Sequence, residues 1–220
     1  SFLFTRSYPH DITVDGQKHE TERNHAVISD IAPESLKPRL YPQEKHESEG
    51  KPFLAEKPFI CIAPASVWFT KQFPEEKWVE FLDLIPDPLT VYFLGAPGDK
   101  EMARNIIGKS TNYKLRLKEL CGQLSLLGSA ALMRSAKMNY VNDSAPLHLA
   151  SAVNAPVTAI FCSTVPSFGF TPLSEDALII QTKEKLACRP CGLHGHKACP
   201  EGHFKCALTI NSDELLKRIH

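Results

Sequence analysis

A doubly wound, mostly parallel α/β sheet is the fold this sequence predicts, and three observations predict it. Beyond Lys57, short apolar runs alternate with amphipathic stretches four or five times. Most of the runs are closed by Pro, Gly, Asn or Asp, the residues that make loops. Between Met138 and Phe161 an apolar run, a polar corner, a helical pattern and a second apolar run follow in order, the strand–helix–strand unit of a parallel sheet.

The elements follow in chain order. Residues 1–50 are polar and irregular. Thr13 to Ile31 is expected to hold one helix with Ala26, Val27, Ile28 and Ile31 as a weak apolar face, leaving Glu20, Glu22 and Arg23 as a solvated or substrate-facing stripe. Lys37 to Lys57 is rich in Pro, Glu and Lys and is expected to be a linker or interdomain crossing. Phe59-Ile60-Cys61-Ile62 forms a buried strand, and Pro64-Ala65-Ser66 turns the chain. Pro74 to about Leu84 is an amphipathic helix, with Glu75 and Glu76 in its first turn, where the helix dipole favours negative charge. Leu89 to Leu94 is the next strand, closed by Gly95-Ala96-Pro97-Gly98-Asp99. A helix follows from Lys100 to Ile107, then a short segment at Leu117 to Leu120. Ser125 caps a helix over Leu126 to Ala136. The central unit comes next, and Ala177 to Ile180 and Asp213 to Ile219 are the last strand and helix.

The chain has 220 residues with 43% hydrophobic content, enough for a sizeable core and for one large or one and a half ordinary domains. Lys plus Arg and Asp plus Glu both number 25, so no bulk positive charge draws nucleic acid, and no nucleic-acid partner is expected. No apolar run approaches the roughly 20 residues that span a bilayer. The start, SFLFTRSYPHD, has no charged region followed by a long apolar one. It also has no methionine, and the chain is expected to be a piece of a longer protein. These features point to a cytoplasmic setting, where Cys61, Cys121 and Cys162, within or beside core segments, are reduced packing residues.

Ligands of doubly wound sheets bind beyond the carboxyl ends of the strands. Three loops fall at that edge: Pro64 to Lys71, Gly95 to Asp99 and Asn142 to Pro146. Ser66 and Lys71 bring a hydroxyl and a cation. Gly95 and Gly98 permit close backbone approach. Pro146 suits a first helical turn, so Asp143 and Ser144 stand at a helix start, where free N–H groups can hold phosphate. The Asp143 carboxylate itself suits a helix cap or a hydroxyl better than a phosphate. Capping alone is the plainer account of an Asn-Asp-Ser before a helix, and a lone His148 is more often packed or solvated than a ligand. A hydroxyl, a cation and free amides together suit a phosphorylated, nucleotide-like ligand. Neither G-x-G-x-x-G after the first strand nor G-x-x-x-x-G-K-[ST] anywhere is present, which disfavours ordinary NAD binding and P-loop hydrolysis.

Val141-Asn142-Asp143-Ser144-Ala145-Pro146-Leu147-His148-Leu149-Ala150, followed by Pro156-Val157-Thr158-Ala159-Ile160-Phe161, is similar to the signature of glycosyltransferase family 9, the ADP-heptose:lipopolysaccharide heptosyltransferases. Members carry T-N-D-S/T-G-P-x-H-x-A-A-A and then P-V-x-A-x-F-G. Trp68 to Trp78 (WFTKQFPEEKW) resembles the family's K-x-W/F-P-x-x-x-W element, and Lys18 to Asn24 (KHETERN) its H-E-x-x-R-N element. The resemblance implies a GT-B type fold, two Rossmann-like domains with the active site between them. Residues 1–50 would be the end of the N-terminal acceptor domain plus the linker. Residues 51–220 would be the C-terminal, Rossmann-like nucleotide-sugar-binding domain.

The implied activity is transfer of heptose from ADP-heptose to the inner core of lipopolysaccharide, with inversion. The implied partners are the ADP-heptose donor and a lipid A-core acceptor, with peripheral contact at the inner membrane through the absent N-terminal region. That region would also supply the general base, so this piece alone is expected to be inactive. By the same resemblance Lys71 contacts the donor phosphates and Ser66 is the hydroxyl beside it. Asp143 lies near the heptose and phosphates, with Ser144, Ala145 and His148 at the helix start, and Leu124 near the adenine. Ala145 replaces the usual Gly, and Pro97-Gly98 stands where some members carry an acidic ribose contact. No cofactor is required. Two rival readings are a non-catalytic nucleotide-sugar-binding module and a GT-B transferase using another nucleotide-sugar.

Cys188, Cys191, Cys199 and Cys206, with His194, His196 and His203 between them, have zinc-ligand residue types. Cys188-x2-Cys191 is a good half-site, while the second half is wider than in a zinc ribbon. A structural zinc, reduced or disulfide-linked cysteines packing a loop, and a redox role all fit the spacing. The segment also resembles the tails of heptosyltransferase II-like members.

Overall fold

The computed structural model describes residues 6–219, so the first five residues of SFLFTRSYPHD and His220 lie outside it. Helices α1 (Glu20–His25) and α2 (Glu44–Gly50) precede β1 (Phe59–Ala63). Then come α3 (Glu75–Leu84), β2 (Leu89–Phe93), α4 (Lys100–Lys109), β3 (Leu115–Glu119), α5 (Leu126–Ser135) and β4 (Met138–Asn142). The chain finishes with α6 (Ala145–Ala152), β5 (Val157–Phe161), β6 (Ala177–Gln181), α7 (Lys205–Leu208) and α8 (Asp213–Leu216). All six strands join one parallel sheet in the order β3-β2-β1-β4-β5-β6, the doubly wound fold expected from the sequence.

Successive strand residues face opposite sides of the sheet, so each strand feeds two cores. On one side Ile60, Ile62, Val91, Phe93 and Tyr140 pack with Trp78, Phe81 and Leu82 of α3, Ala103 and Ile106 of α4, and Leu215 of α8. On the other, Phe59, Cys61, Val141, Ala159 and Phe161 pack with Ala130, Leu132 and Met133 of α5 and Leu147 and Ala150 of α6. Coverage on both faces is why these strands appear in the sequence as continuous apolar runs. Strand β3 sits at an edge and buries only Leu115, so its segment shows no such run. Cys61, Cys121 and Cys162 are buried, as expected of packing residues.

Two expectations for the N-terminal part change. Thr13 to Ile31 is not one helix, because only Glu20–His25 is helical, opened by a capping box between His19 and Glu22. Val27, Ile28 and Ile31 are 63%, 50% and 88% exposed, so the weak apolar face is not buried in a core. Arg23 is not solvated: it is 5% exposed and donates to Glu20 Oε2 (2.9 Å), Lys18 O (2.6 Å) and Phe168 O (2.6 Å). Tertiary contact, not amphipathic periodicity, holds this turn. The expected linker Lys37 to Lys57 contains α2 and a tight helical turn at Lys51–Glu56, which pack against α5. Among the described residues no helix is long and apolar enough to cross a membrane.

Candidate functional site

The strand order reverses at β1, which has β2 on one side and β4 on the other. In sheets of this kind the crevice between the two diverging loops at that point is the natural ligand site. Here the loops after β1 and β4 are tied together by Asn142, which is fully buried. Its Nδ2 donates to Pro64 O (2.7 Å) and its Oδ1 accepts from the Phe73 N–H (2.9 Å). One side chain thus grips both ends of the loop that carries Ser66 and Lys71.

A cleft of about 520 Å³ opens at this point. Ser66, Gly95, Leu124, Ser144 and Ala145 all line it, so five of the residues singled out in the sequence meet in one cavity. Leu94, Leu126, Met133 and Leu149 make much of its wall apolar, and Asp99 closes the floor near Gly95. The Asp99 carboxylate accepts from the Ala96 N–H at 2.7 Å, and a Cβ on Gly95 would come within 2.7 Å of the same oxygen. Gly122, at φ +71°, lies against Pro97, where a Cβ would approach to 2.7 Å. Gly95 therefore lets its own loop fold back on Asp99, and Gly122 lets the loop after β3 close on the loop after β2.

Lys71 and Asp143 stand beside the cleft rather than in its wall. The Lys71 ammonium is 2.7 Å from Asp143 Oδ2, and the side chains are only 16% and 7% exposed. Thr164, just past the end of β5, donates its hydroxyl to the same carboxylate oxygen at 2.7 Å. Attraction between charges is stronger away from water, and the extra donor offsets part of the cost of burying the carboxylate. The two loops converge, as their place at the sheet's edge predicts; the ion pair between them goes beyond that expectation.

The helix start is leaner than expected. Ser144 makes no capping hydrogen bond with its side chain, Pro146 has no N–H, and the Leu147 N–H is taken by Ser144 O at 3.0 Å. Among the described residues no protein group accepts from the Ser144 or the Ala145 N–H, which leaves two amides open at this corner. The capping account of Asp143 and Ser144 therefore gives way to an ion pair and two open amides.

His148 lies one turn into α6 and does not line the cleft. It keeps an open surface, yet the protein around it displaces water. That desolvation lowers its pKa, the nearby Lys71 and His19 push the same way, and Asp143 opposes them. The ring is thereby biased toward its neutral form.

The four cysteines of the C-terminal segment fall in one neighbourhood, with Cys206 buried, but the sulfurs of the other three turn to separate partners. Cys191 Sγ donates to Cys188 O (3.2 Å), Cys188 Sγ faces His203 Nε2 (3.8 Å), and Cys199 Sγ accepts from the Phe204 N–H (3.4 Å). All are free thiols. Among the described residues no three Cys, His, Asp or Glu side chains are arranged to hold a metal ion.

Sequence reasoning missed Asn142 as a clamp and Thr164 as the carboxylate's donor. Both had a signal: each lies at the carboxyl end of a strand in a parallel sheet, where ligand-facing groups gather.

Residues 3–201 match the model of glycosyltransferase family 9 (heptosyltransferase). The chain is 27% identical over 154 residues to lipopolysaccharide heptosyltransferase 2 of Escherichia coli (strain K12), covering 66% of this chain and 44% of that protein. It resembles the crystal structure of a family 9 glycosyltransferase from Veillonella parvula DSM 2008, with a TM-score of 0.79 and 18% identity over 99% of this chain and 62% of that one. The E. coli heptosyltransferase WaaC solved with ADP has the same fold, at a TM-score of 0.60 and 18% identity over 99% of this chain and 60% of that one. The chain spans about half the length of the curated relatives it matches.

Proposed function

Because this chain belongs to glycosyltransferase family 9, we propose that it is the donor half of a heptosyltransferase, moving heptose from ADP-heptose to the inner core of lipopolysaccharide. The observation that carries this reading is the Lys71–Asp143 pair, 2.7 Å apart, at the edge of a cleft built at the sheet's switch point. In this reading residues 51–220 are the nucleotide-sugar-binding domain. Residues 1–50 lead in from an acceptor domain that also brings the general base.

The cleft is divided as such a donor would require. Its apolar stretch, with Leu124, Leu126 and Met133, suits the flat face of a purine. Ser66, Ser144 and the Ala145 N–H supply polar groups to its lining that a diphosphate can use. An acceptor hydroxyl attacks the anomeric carbon, the bond from that carbon to the phosphate oxygen breaks, and the configuration inverts. Negative charge grows on the departing diphosphate, and a preplaced ammonium and amide stabilise it without reorganising. Asp143 holds that ammonium in place and faces the sugar. Ala145 in place of glycine adds a methyl group at this corner, which sets how closely the diphosphate approaches the backbone.

No step calls for a cofactor. The four cysteines are taken as reduced groups packing their segment, and a structural zinc is the alternative. Metal analysis of protein purified without added zinc separates them, because near one zinc per chain would assign the metal. The protein would work at the cytoplasmic face of the inner membrane, where its lipid-anchored acceptor lies.

Titration calorimetry of the whole protein with ADP, UDP and ADP-heptose tests the reading. ADP and ADP-heptose should bind and UDP should bind at least about tenfold more weakly, a difference of about 1.4 kcal/mol. Equal affinity for UDP and ADP would replace the donor with another nucleotide-sugar. No binding of any of the three would remove the site.

A further inference from the structure

The turn that carries Lys71 is held from behind by the cysteine-rich segment. Thr70 is 1% exposed, and its Oγ1 accepts from the His196 N–H at 2.8 Å and from the Ser163 hydroxyl at 3.1 Å. The backbone repeats the link: the Thr70 N–H donates to His196 O (3.1 Å), and the Ser163 N–H donates to Thr70 O (3.2 Å). The Cys191 N–H in turn donates to Ser163 O at 2.9 Å. Gly195 fits into the same knot at φ +80°, a backbone conformation that side chains disfavour. A Cβ there would come within 2.8 Å of Thr70 Oγ1, 3.1 Å of Lys71 Cγ and 3.3 Å of Ser163 Oγ.

The next residue along, Thr164, is the one that bonds Asp143. Arg189, from the start of the cysteine-rich segment, donates to Cys162 O (2.7 Å) and Thr164 O (2.7 Å) and so pins the corner that carries both. Both members of the ion pair are therefore set by adjacent residues after β5, and the segment from Arg189 to His196 braces those residues.

We infer that the segment Arg189 to His196 is a positioning element for the donor site: through Thr70 and Ser163 it fixes where the Lys71 ammonium stands. Thr70, Ser163 and Gly195 are positioning residues; they act through Lys71 rather than on the ligand. The inference rests on the reading of Lys71 as the diphosphate contact.

A double-mutant cycle on the whole protein, read by ADP affinity, tests it. Thr70→Val keeps the shape and removes the hydroxyl, and should weaken ADP at least about fivefold, the scale of one hydrogen bond. Thr70→Ser should restore affinity to within about twofold of wild type, because the acceptor oxygen returns. In a Lys71→Met background Thr70→Val should add less than about twofold, because a residue that acts only through Lys71 has nothing left to position. Equal losses in both backgrounds would overturn the inference and leave the donor reading intact. ADP binding unchanged by Lys71→Met would overturn both. Should Thr70→Val not fold, Ser163→Ala completes the same cycle, because it removes one donor to Thr70 and leaves the backbone links.

Discussion

Lys71 and Asp143 lie 72 positions apart in the sequence and 2.7 Å apart in the fold, and the proposed donor site is built on that meeting. A lone lysine after a strand is an ordinary surface residue; a lysine held by a carboxylate in a corner shielded from water is a fixed charge. Lys71→Ala should lower kcat/KM at least about tenfold, as expected for a charged contact worth roughly 1.5–3 kcal/mol, and steady-state kinetics with ADP-heptose measures it. Unchanged kinetics would separate the pair from catalysis. The two residues could be found in the sequence because charged groups at the carboxyl ends of parallel strands are conspicuous. Thr164 and Asn142 carry only the weaker signal of their place, because Thr and Asn after a strand also mark ordinary loops, and only the position of Asp143 and of the Phe73 N–H gives their side chains a partner.

Among the elements, the helices with a sequence signal fold as expected and the two docked by contact do not. Ser125 accepts from the Gly128 N–H at 3.0 Å, the cap expected for α5, but the same serine also binds Glu49 of α2. Its N–H and hydroxyl donate to the Glu49 carboxylate at 2.7 and 2.9 Å. The Ser125 N–H, the largest cause, with its hydroxyl second, holds the Glu49 carboxyl below its ordinary value. A depressed carboxyl pKa adds stability above the unfolded-state value, and that part is lost as the pH falls through the folded-state value. Stability of wild type should thus decline from pH 5 toward pH 3 more steeply than that of Glu49→Gln, as urea unfolding at stepped pH would show. Parallel curves would mean that the bond does not couple α2 to α5. The contact explains why no helix is legible in this stretch of the sequence: residues 44–50 carry no apolar stripe of their own, and their place is fixed by the end of another helix.

At the scale of the whole molecule, six parallel strands divide their side chains between two cores, and α3 brings Trp78, Phe81 and Leu82 to one of them. Trp78 is fully buried, with its ring 5.1 Å from Phe73 in an edge-to-face contact. Trp78→Ala should cost about 3–5 kcal/mol, a large part of the 5–15 kcal/mol that holds a domain together, and urea denaturation would measure it. A loss below about 1 kcal/mol would show that this face of the sheet collapses around the gap. The sequence by itself determined the layered α/β class, the strands buried on both faces, the capped α5 and the three rim loops, because period, turn residues and caps are local physics that each stretch carries alone. The tertiary structure decided the rest. It put β4 beside β1, so that two distant loops became one cleft. It turned Lys71 toward Asp143, seated Arg23 against Phe168 and set the cysteine-rich segment behind Thr70. Each of those facts is a contact between parts remote in sequence, and such contacts acquire their energy only when the whole sheet has brought both sides together.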